Sequence, residues 1–231
     1  IVSRDWSSDV CSSDLFDLDN TLIGGDSDHL WGDFLVRHNY VDREFHSSEN
    51  DRFFDLYNAG KLDIYEWLEF QFKLFTDNPY ARLVKWHQAF MEEMIKPALL
   101  PKAATLIESH RKLGDTLLII TATNHFITAP IAELLGIPNL IATNPEMIDG
   151  EFSGRVAGLP SYQEGKITRL NEWLGRPEQS NISMDNSSFY SDSHNDLPLL
   201  ESVSRPVAVD PDDILRSTAT ERDWEIISLR S

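Results

Sequence analysis

A doubly wound parallel α/β sheet with a helical cap inserted after its first strand is the fold that this sequence predicts. Beyond residue 97 short apolar runs alternate with amphipathic stretches, as strands buried on both faces alternate with crossover helices. Between residues 26 and 96 the apolar residues instead recur at helical spacing, and no strand-length run interrupts them. Several of the strand-like runs end in a hydroxyl or carboxylate residue, and open α/β sheets collect their ligands at the C-terminal edge of the strands.

The first strand leads into Leu15-Phe16-Asp17-Leu18-Asp19-Asn20-Thr21-Leu22-Ile23, where two carboxylates two residues apart share one side of the chain. Taken alone, such a stretch reads equally well as a strand end with an Asx-type turn. Ahead of it residues 1–14 are polar and rich in Ser and Asp. The run from Asp5 to Leu15 resembles the in-frame translation of a sequencing-adapter oligonucleotide, so residues 1–14 are expected to be a non-native leader. On that reading the first strand keeps only Leu15 and Phe16 ahead of Asp17.

Gly24-Gly25-Asp26 allows a tight turn, and Ser27 or Asp28 can cap a helix carrying Leu30, Trp31, Phe34 and Leu35. Further helical stripes follow at Phe53, Phe54 and Tyr57, then at Ile64, Trp67, Leu68, Phe72 and Phe75, then at Leu83, Trp86, Phe90 and Met94. Aromatic residues at this spacing are expected to form the core of the cap. Then come a helix over 102–113 closed by Gly114, a buried strand over 116–121, a helix over 126–135 and a short strand over 140–143. A hairpin over 147–157 turns at Asp149-Gly150. A helix over 167–174, a strand over 189–192, a helix over 197–203, a strand over 206–209 and a last helix opened by Pro211 complete the pattern. Residues 15–23 and 97–231 are thus expected to form the core domain and 24–96 the cap.

The 231 residues hold 38 Asp and Glu against 20 Lys and Arg, a net charge of −18. That balance argues against nucleic acid and anionic membrane surfaces as partners, and favours a metal ion or a small, cationic substrate. No apolar run approaches the roughly 20 residues of a spanning helix, and no signal-peptide pattern opens the chain, so a cytoplasmic location is expected. A single cysteine, Cys11, excludes an internal disulfide framework.

Three predicted strands end in Asp17 and Asp19, in Thr121, and in Asp192 followed by Asp196, and a parallel sheet brings such ends together. Four carboxylates at one edge repel one another unless a cation neutralises them, and an oxygen-only donor set beside a phosphate suits Mg²⁺. Thr121 offers a neutral donor and Lys166 a point charge for phosphate oxygens. His29, His125 and His194 occur in mixed contexts and are expected to cap or hydrogen-bond rather than to bind a transition metal.

The order of D-L-D-N-T-L at 17–22, Thr121 after an apolar strand, Lys166 before a helix, and S-D-S-H-N-D at 191–196 resembles the haloacid dehalogenase superfamily of phosphohydrolases. The insertion directly after the first motif resembles its phosphoserine-phosphatase-like branch, subfamily IB. The resemblance implies a Rossmann-like core and a phosphomonoester hydrolase with Asp17 as nucleophile and Asp19 as acid and base. It implies Mg²⁺ held by Asp17, the carbonyl of Asp19 and Asp192, with Asp196 adjacent. Thr121, Lys166 and Asn195 would hold the phosphoryl group. Asp26 matches the acidic residue that faces the substrate amine in that branch, whereas Gln71 stands where an arginine grips a carboxylate. An amine-bearing substrate without a carboxylate, histidinol phosphate, is therefore expected first and phosphoserine second. Transfer of the phosphoryl group to an acceptor other than water is a further possibility.

Overall fold

The computed structural model describes residues 11–230. Strand β1 (Cys11–Phe16) is followed by helices α1 (Ser27–Arg37), α2 (Arg43–Asn58), α3 (Ile64–Thr76) and α4 (Tyr80–Phe90). The last runs through a π-helical turn at Met91–Ile95 into α5 (Lys96–Ala98). Next come α6 (Pro101–Leu113), β2 (Thr116–Asn124), α7 (His125–Leu134), β3 (Asn139–Thr143) and the hairpin of β4 (Pro145–Ile148) with β5 (Glu151–Val156). The chain continues with α8 (Glu164–Leu174), β6 (Ile182–Ser191), α9 (Leu197–Leu200), β7 (Arg205–Val209), α10 (Asp213–Glu221) and β8 (Glu225–Ile227). Six strands form one parallel sheet in the order β3-β2-β1-β6-β7-β8, so the chain winds outward from β1 in both directions.

The expected elements are present, with differences at their ends. β2 continues three residues beyond Thr121 because the polar segment stays paired with β3, as Asn124 with Thr143. β6 starts at Ile182 rather than 189, and the short edge strand β8 was not expected. The cap of α1 is Asp26, whose Oδ1 accepts from the backbone N–H of His29 at 2.8 Å, rather than Ser27 or Asp28. No helix among the described residues is long and apolar enough to cross a membrane.

The helical insertion leaves and rejoins the core at one stem, where Ile23 bridges Leu99 and the N–H of Gly24 donates to the carbonyl of Ala98 at 2.7 Å. Trp31, Phe34, Phe72, Phe75 and Phe90 are fully or almost fully buried, in a single apolar cluster that also takes in Phe16, Ile119 and Ile127 of the core. Cap and sheet therefore share a core on that face. The other face of the sheet is closed by Leu15, Ile120, Leu170, Phe189 and their neighbours. Gly154 lets β5 press against α3, since a Cβ at its φ of +83° would come 2.9 Å from Cγ2 of Thr76. Across that contact the rings of Phe75 and Phe152 stack at 4.8 Å.

β1 departs most from expectation. Instead of beginning at Leu15 it takes in residues 11–14, with Ser13 opposite Thr116 and Asp14 opposite Leu117. Ladder hydrogen bonds use backbone groups that every residue but proline carries, so polar side chains do not exclude a segment from a sheet. Ser13 and Asp14 are wholly buried, and the carboxylate of Asp14 lies 2.8 Å from Nδ1 of His110. The same imidazole lies 3.1 Å from Asp115 and, through Nε2, 2.9 Å from the hydroxyl of Tyr190.

Burial alone would lower the pKa of His110, but hydrogen bonding to Asp14 and its charge, then Asp115, outweigh it and leave the imidazole raised above 6.5. A raised folded-state pKa contributes stability that is present below 6.5 and lost as pH rises through the raised value. Replacing Asp14 by Val takes the first of two carboxylate partners from the buried His110 imidazolium, a change expected to destabilise the fold by up to about 3 kcal/mol near pH 6 and less at alkaline pH, as the imidazole loses its proton. Thermal melts of both proteins at about pH 6 and about pH 9 check this. A variant midpoint equal to or above the parent's at the lower pH would contradict it.

Candidate active site

The ladder of β1 ends with the N–H of Asp17 donating to the carbonyl of Tyr190 at 2.9 Å, after which the chain folds into a tight turn. The N–H groups of Thr21, Leu22 and Ile23 all converge on the carbonyl of Leu18, and Asn20 takes a left-handed conformation at φ 55°. Leu18, Leu22 and Ile23 are fully buried, which fixes the turn and presents Asp17 and Asp19 at the sheet edge.

Asp17 and Asp196 share the ammonium of Lys166, at 2.8 Å and 2.7 Å respectively, and all three side chains are nearly inaccessible. Lys166 sits in the first turn of α8, whose entry brings Gly165 close to the carbonyl of Pro160. A Cβ there would collide with that oxygen, so only glycine lets the helix start where its lysine reaches β1. Asp196 also accepts from the hydroxyl of Ser191 at 2.7 Å. Asp192 is joined to the first motif by Thr21, whose hydroxyl donates to Oδ1 at 3.2 Å and accepts from the N–H of Asp192 at 3.1 Å.

Asp19 turns to the other side. Its Oδ1 accepts from the N–H of Ser27 at 2.6 Å, and its Oδ2 accepts from the hydroxyls of Thr123 at 2.9 Å and Thr121 at 3.3 Å. Thr121 therefore stands next to the second carboxylate, as the sequence requires. Asn195 lies in the same region, but its Nδ2 donates to the carbonyl of Tyr57 at 3.1 Å and to Ser193 at 3.3 Å, tying the core to the end of α2. Asp26 caps α1 and lines the cavity that opens from Asp17 and Asp19 toward the cap. Gln71 is not among the residues that line this cavity: it is buried in α3 one turn beyond Trp67, which does line it.

Burial dominates the electrostatics. It pushes Asp17 up to about 8, with Lys166 pulling the other way and Asp196 and Asp19 adding to the rise. Asp19 is raised by burial, partly offset by its hydrogen bonds from Ser27, Thr123 and Thr121. Asp192 is raised well above the usual carboxylate range by burial and by the charges of Asp17 and Asp196. Burial would lower Lys166, but Asp17 and Asp196 keep it raised and charged. A single ammonium thus faces several carboxylates, and Asp192 has no ammonium or guanidinium partner among the described residues. This uncompensated, oxygen-only set fits a small divalent cation such as Mg²⁺. The cluster of Asp14, His110 and Asp115 could also hold a metal, but it lies at the N-terminal end of β2, away from this edge.

Three contributors escaped the sequence reading. Thr123 follows Thr121 by two, so strand periodicity places both hydroxyls on one side once β2 is known to continue. Asp28 and Tyr57 line the cavity from the cap, where helix-cap and helical-spacing patterns place them in helices without pointing to the site.

The profile of the haloacid dehalogenase-like hydrolases matches residues 15–201. The chain is 42% identical over 217 residues to a histidinol-phosphatase of Neisseria meningitidis serogroup C (strain 8013), covering 94% of this chain and 98% of that one. It is 30% identical over 225 residues to phosphoserine phosphatase SerB1 of Mycobacterium tuberculosis (strain ATCC 25618 / H37Rv), covering 96% of this chain and 72% of that one. A crystal structure of a protein of unknown function from Bordetella pertussis Tohama I superposes with a TM-score of 0.88 at 41% identity, over 95% of this chain and 99% of that one. A phospho-aspartyl intermediate analogue of phosphoserine phosphatase superposes at 0.69 with 18% identity, over 96% and 94%, which speaks to the fold. With its motifs, sheet and site in agreement, the chain belongs to the haloacid dehalogenase-like hydrolases, as an enzyme of the phosphatase type.

Proposed function

We propose that this enzyme hydrolyses a small phosphomonoester through an aspartyl-phosphate on Asp17, and that its substrate is histidinol phosphate. The observation that carries the chemistry is the division of labour between two carboxylates two residues apart: Asp17 beside the ammonium of Lys166, Asp19 among neutral donors. Asp17, the backbone carbonyl of Asp19 and Asp192 would hold Mg²⁺, which when bound supplies charge neutralisation for the phosphoryl oxygens.

A carboxylate oxygen of Asp17 attacks phosphorus as the ester P–O bond breaks, and the departing alkoxide takes a proton from Asp19. Burial keeps Asp19 raised, which favours the protonated form that this step needs. Lys166 and Thr121 are close enough to Asp17 and Asp19 to donate to the oxygens of the transferring group. Asp19, now ionised, then takes a proton from water as that water attacks the phospho-Asp17, and cleavage of the acyl P–O bond releases phosphate and restores the carboxylate.

The substrate reading rests on two supports. One relative at 42% identity bears the name histidinol-phosphatase. Independently, the cavity next to the nucleophile is lined by acidic and aromatic residues, with no Lys or Arg among the described ones that could grip a substrate carboxylate. That second point favours an amino alcohol over phosphoserine, despite the phosphoserine phosphatases among its relatives.

Phosphate release from histidinol phosphate is expected to exceed that from phosphoserine by at least about tenfold in kcat/KM, and the reverse order would overturn the substrate. Asp17→Asn is expected to lower turnover by at least about a thousandfold with an unchanged circular-dichroism spectrum. Comparable release by equal amounts of folded variant and parent would remove Asp17 from the nucleophile role. Mg²⁺ at about a hundred times its Kd should stabilise the parent by about 2.7 kcal/mol in thermal melts, whereas Asp192→Asn should blunt the effect. Because protons compete for raised carboxylates, the shift should shrink as pH falls below about 8, the value to which Asp17 is pushed. A Mg²⁺ effect equal in both proteins would place the cation elsewhere.

A further inference from the structure

Besides Asp17, Asp19 and Asp26, the cavity is lined by a fourth acidic residue, Asp28, whose position the phosphoryl chemistry leaves unexplained. Asp28, in the first turn of α1, is more than nine-tenths buried and lines the same cavity as the nucleophile. Its carboxylate accepts only from neutral groups, at lengths near the upper end of hydrogen bonding: Thr123 Oγ1 at 3.2 Å, Trp67 Nε1 at 3.3 Å and Asn124 Nδ2 at 3.4 Å.

The bond from Thr123 is weaker still than its length suggests. That hydroxyl has one proton and also stands 2.9 Å from Asp19, so it cannot donate to both carboxylates at once. Asp28 then either carries a proton of its own or is an anion short of a donor. Burial, followed by the charges of Asp26 and Asp19, raises it well above the usual carboxylate range. An N–H bearing ligand cation reaching Asp28 would supply what these neighbours do not.

The walls define the shape of that ligand. Phe53 packs on Trp67 at 5.0 Å and Phe54 on the ring of His29 at 4.8 Å, so the cavity offers packed aromatic walls, against which a flat, polarisable group makes better contact than a branched aliphatic one. Thr123 links Asp28 directly to Asp19, the residue that meets the leaving oxygen, so the ligand group in question is carried by the leaving alcohol. Beyond the catalytic pair the cavity presents two carboxylates, Asp26 and Asp28. Histidinol phosphate has two nitrogen centres to match, an amine close to the ester oxygen and an imidazole one carbon further out.

We propose that Asp28, in the cavity walled by Phe53 and Trp67, is the specificity carboxylate that receives the ring N–H of the substrate imidazole, while Asp26 faces its amine. This rests on the phosphatase reading above and names the subsite that would set its preference. Phosphoethanolamine keeps the amine and lacks the ring, so Asp28→Asn is expected to lower the preference for histidinol phosphate over phosphoethanolamine by at least about tenfold, through KM rather than kcat. An unchanged preference, whether or not overall activity falls, overturns the assignment, because a merely structural role would depress both esters alike.

A parent enzyme that does not hydrolyse histidinol phosphate would be a failure of the substrate reading, and a second measurement keeps the subsite testable in that event. Histamine should compete with p-nitrophenyl phosphate in the unmodified enzyme at least about tenfold more strongly than phenethylamine, whose ring has no N–H. Equal inhibition by the two amines, or none by histamine, overturns the subsite without recourse to any variant.

Discussion

The buried ammonium of Lys166, held between Asp17 and Asp196, is the contact on which the catalytic edge depends. It joins three separate parts of the chain: the end of β1, the first turn of α8 and the segment after β6. A buried ion pair of this sort stabilises little in net terms, but removing one member leaves the others charged and unpaired, at a cost of about 3–5 kcal/mol. The lysine thus enforces the relative positions of Asp17 and Asp196 more than it adds to overall stability. The surrounding structure defers to it, down to a backbone approach at Gly165 that no larger residue could make.

One ammonium does not balance the carboxylates gathered around it, and the imbalance gives the site its character. Asp192 relies on a hydroxyl, and Asp19, Asp26 and Asp28 rely on backbone and neutral donors. A protein can hold such a cluster by protonating some members or by admitting cations. The acidity of the whole chain, with its net charge of −18, is continued inside the cavity, where it acts at short range and under weak screening.

The parallel sheet, the insertion and the strand-end residues were legible because they depend on local pattern: apolar runs of strand length, helical spacing, and polar residues where a strand runs out. Asp17, Asp19, Thr121, Lys166, Asp192 and Asp196 do meet. Cap residues were much less legible, because which turn of a helix meets the cavity is decided by how the cap docks. Trp67 faces the cavity and Gln71 does not, although they are four residues apart on one helix. Asn195 showed its place but not its partners, since its amide meets the carbonyl of Tyr57 from a helix far away in sequence. The pairing of residues 11–14 is not legible for the opposite reason: their polar side chains give no strand pattern, and backbone pairing with two neighbours holds them in the sheet.

The central place of β1 also bears on how the protein is made. Its partners are β2, about a hundred residues later, and β6, some seventy residues beyond that, so both of its ladders close long loops. During synthesis the segment bearing Asp17 and Asp19 leaves the ribosome well before the strands that enclose it. Until β6 arrives, an unpaired edge runs along the future centre of the sheet. The edge that carries Asp17 is therefore among the last features to exist, and a nascent chain halted before β6 would carry Asp17 and Lys166 without Asp196, the second carboxylate on that ammonium.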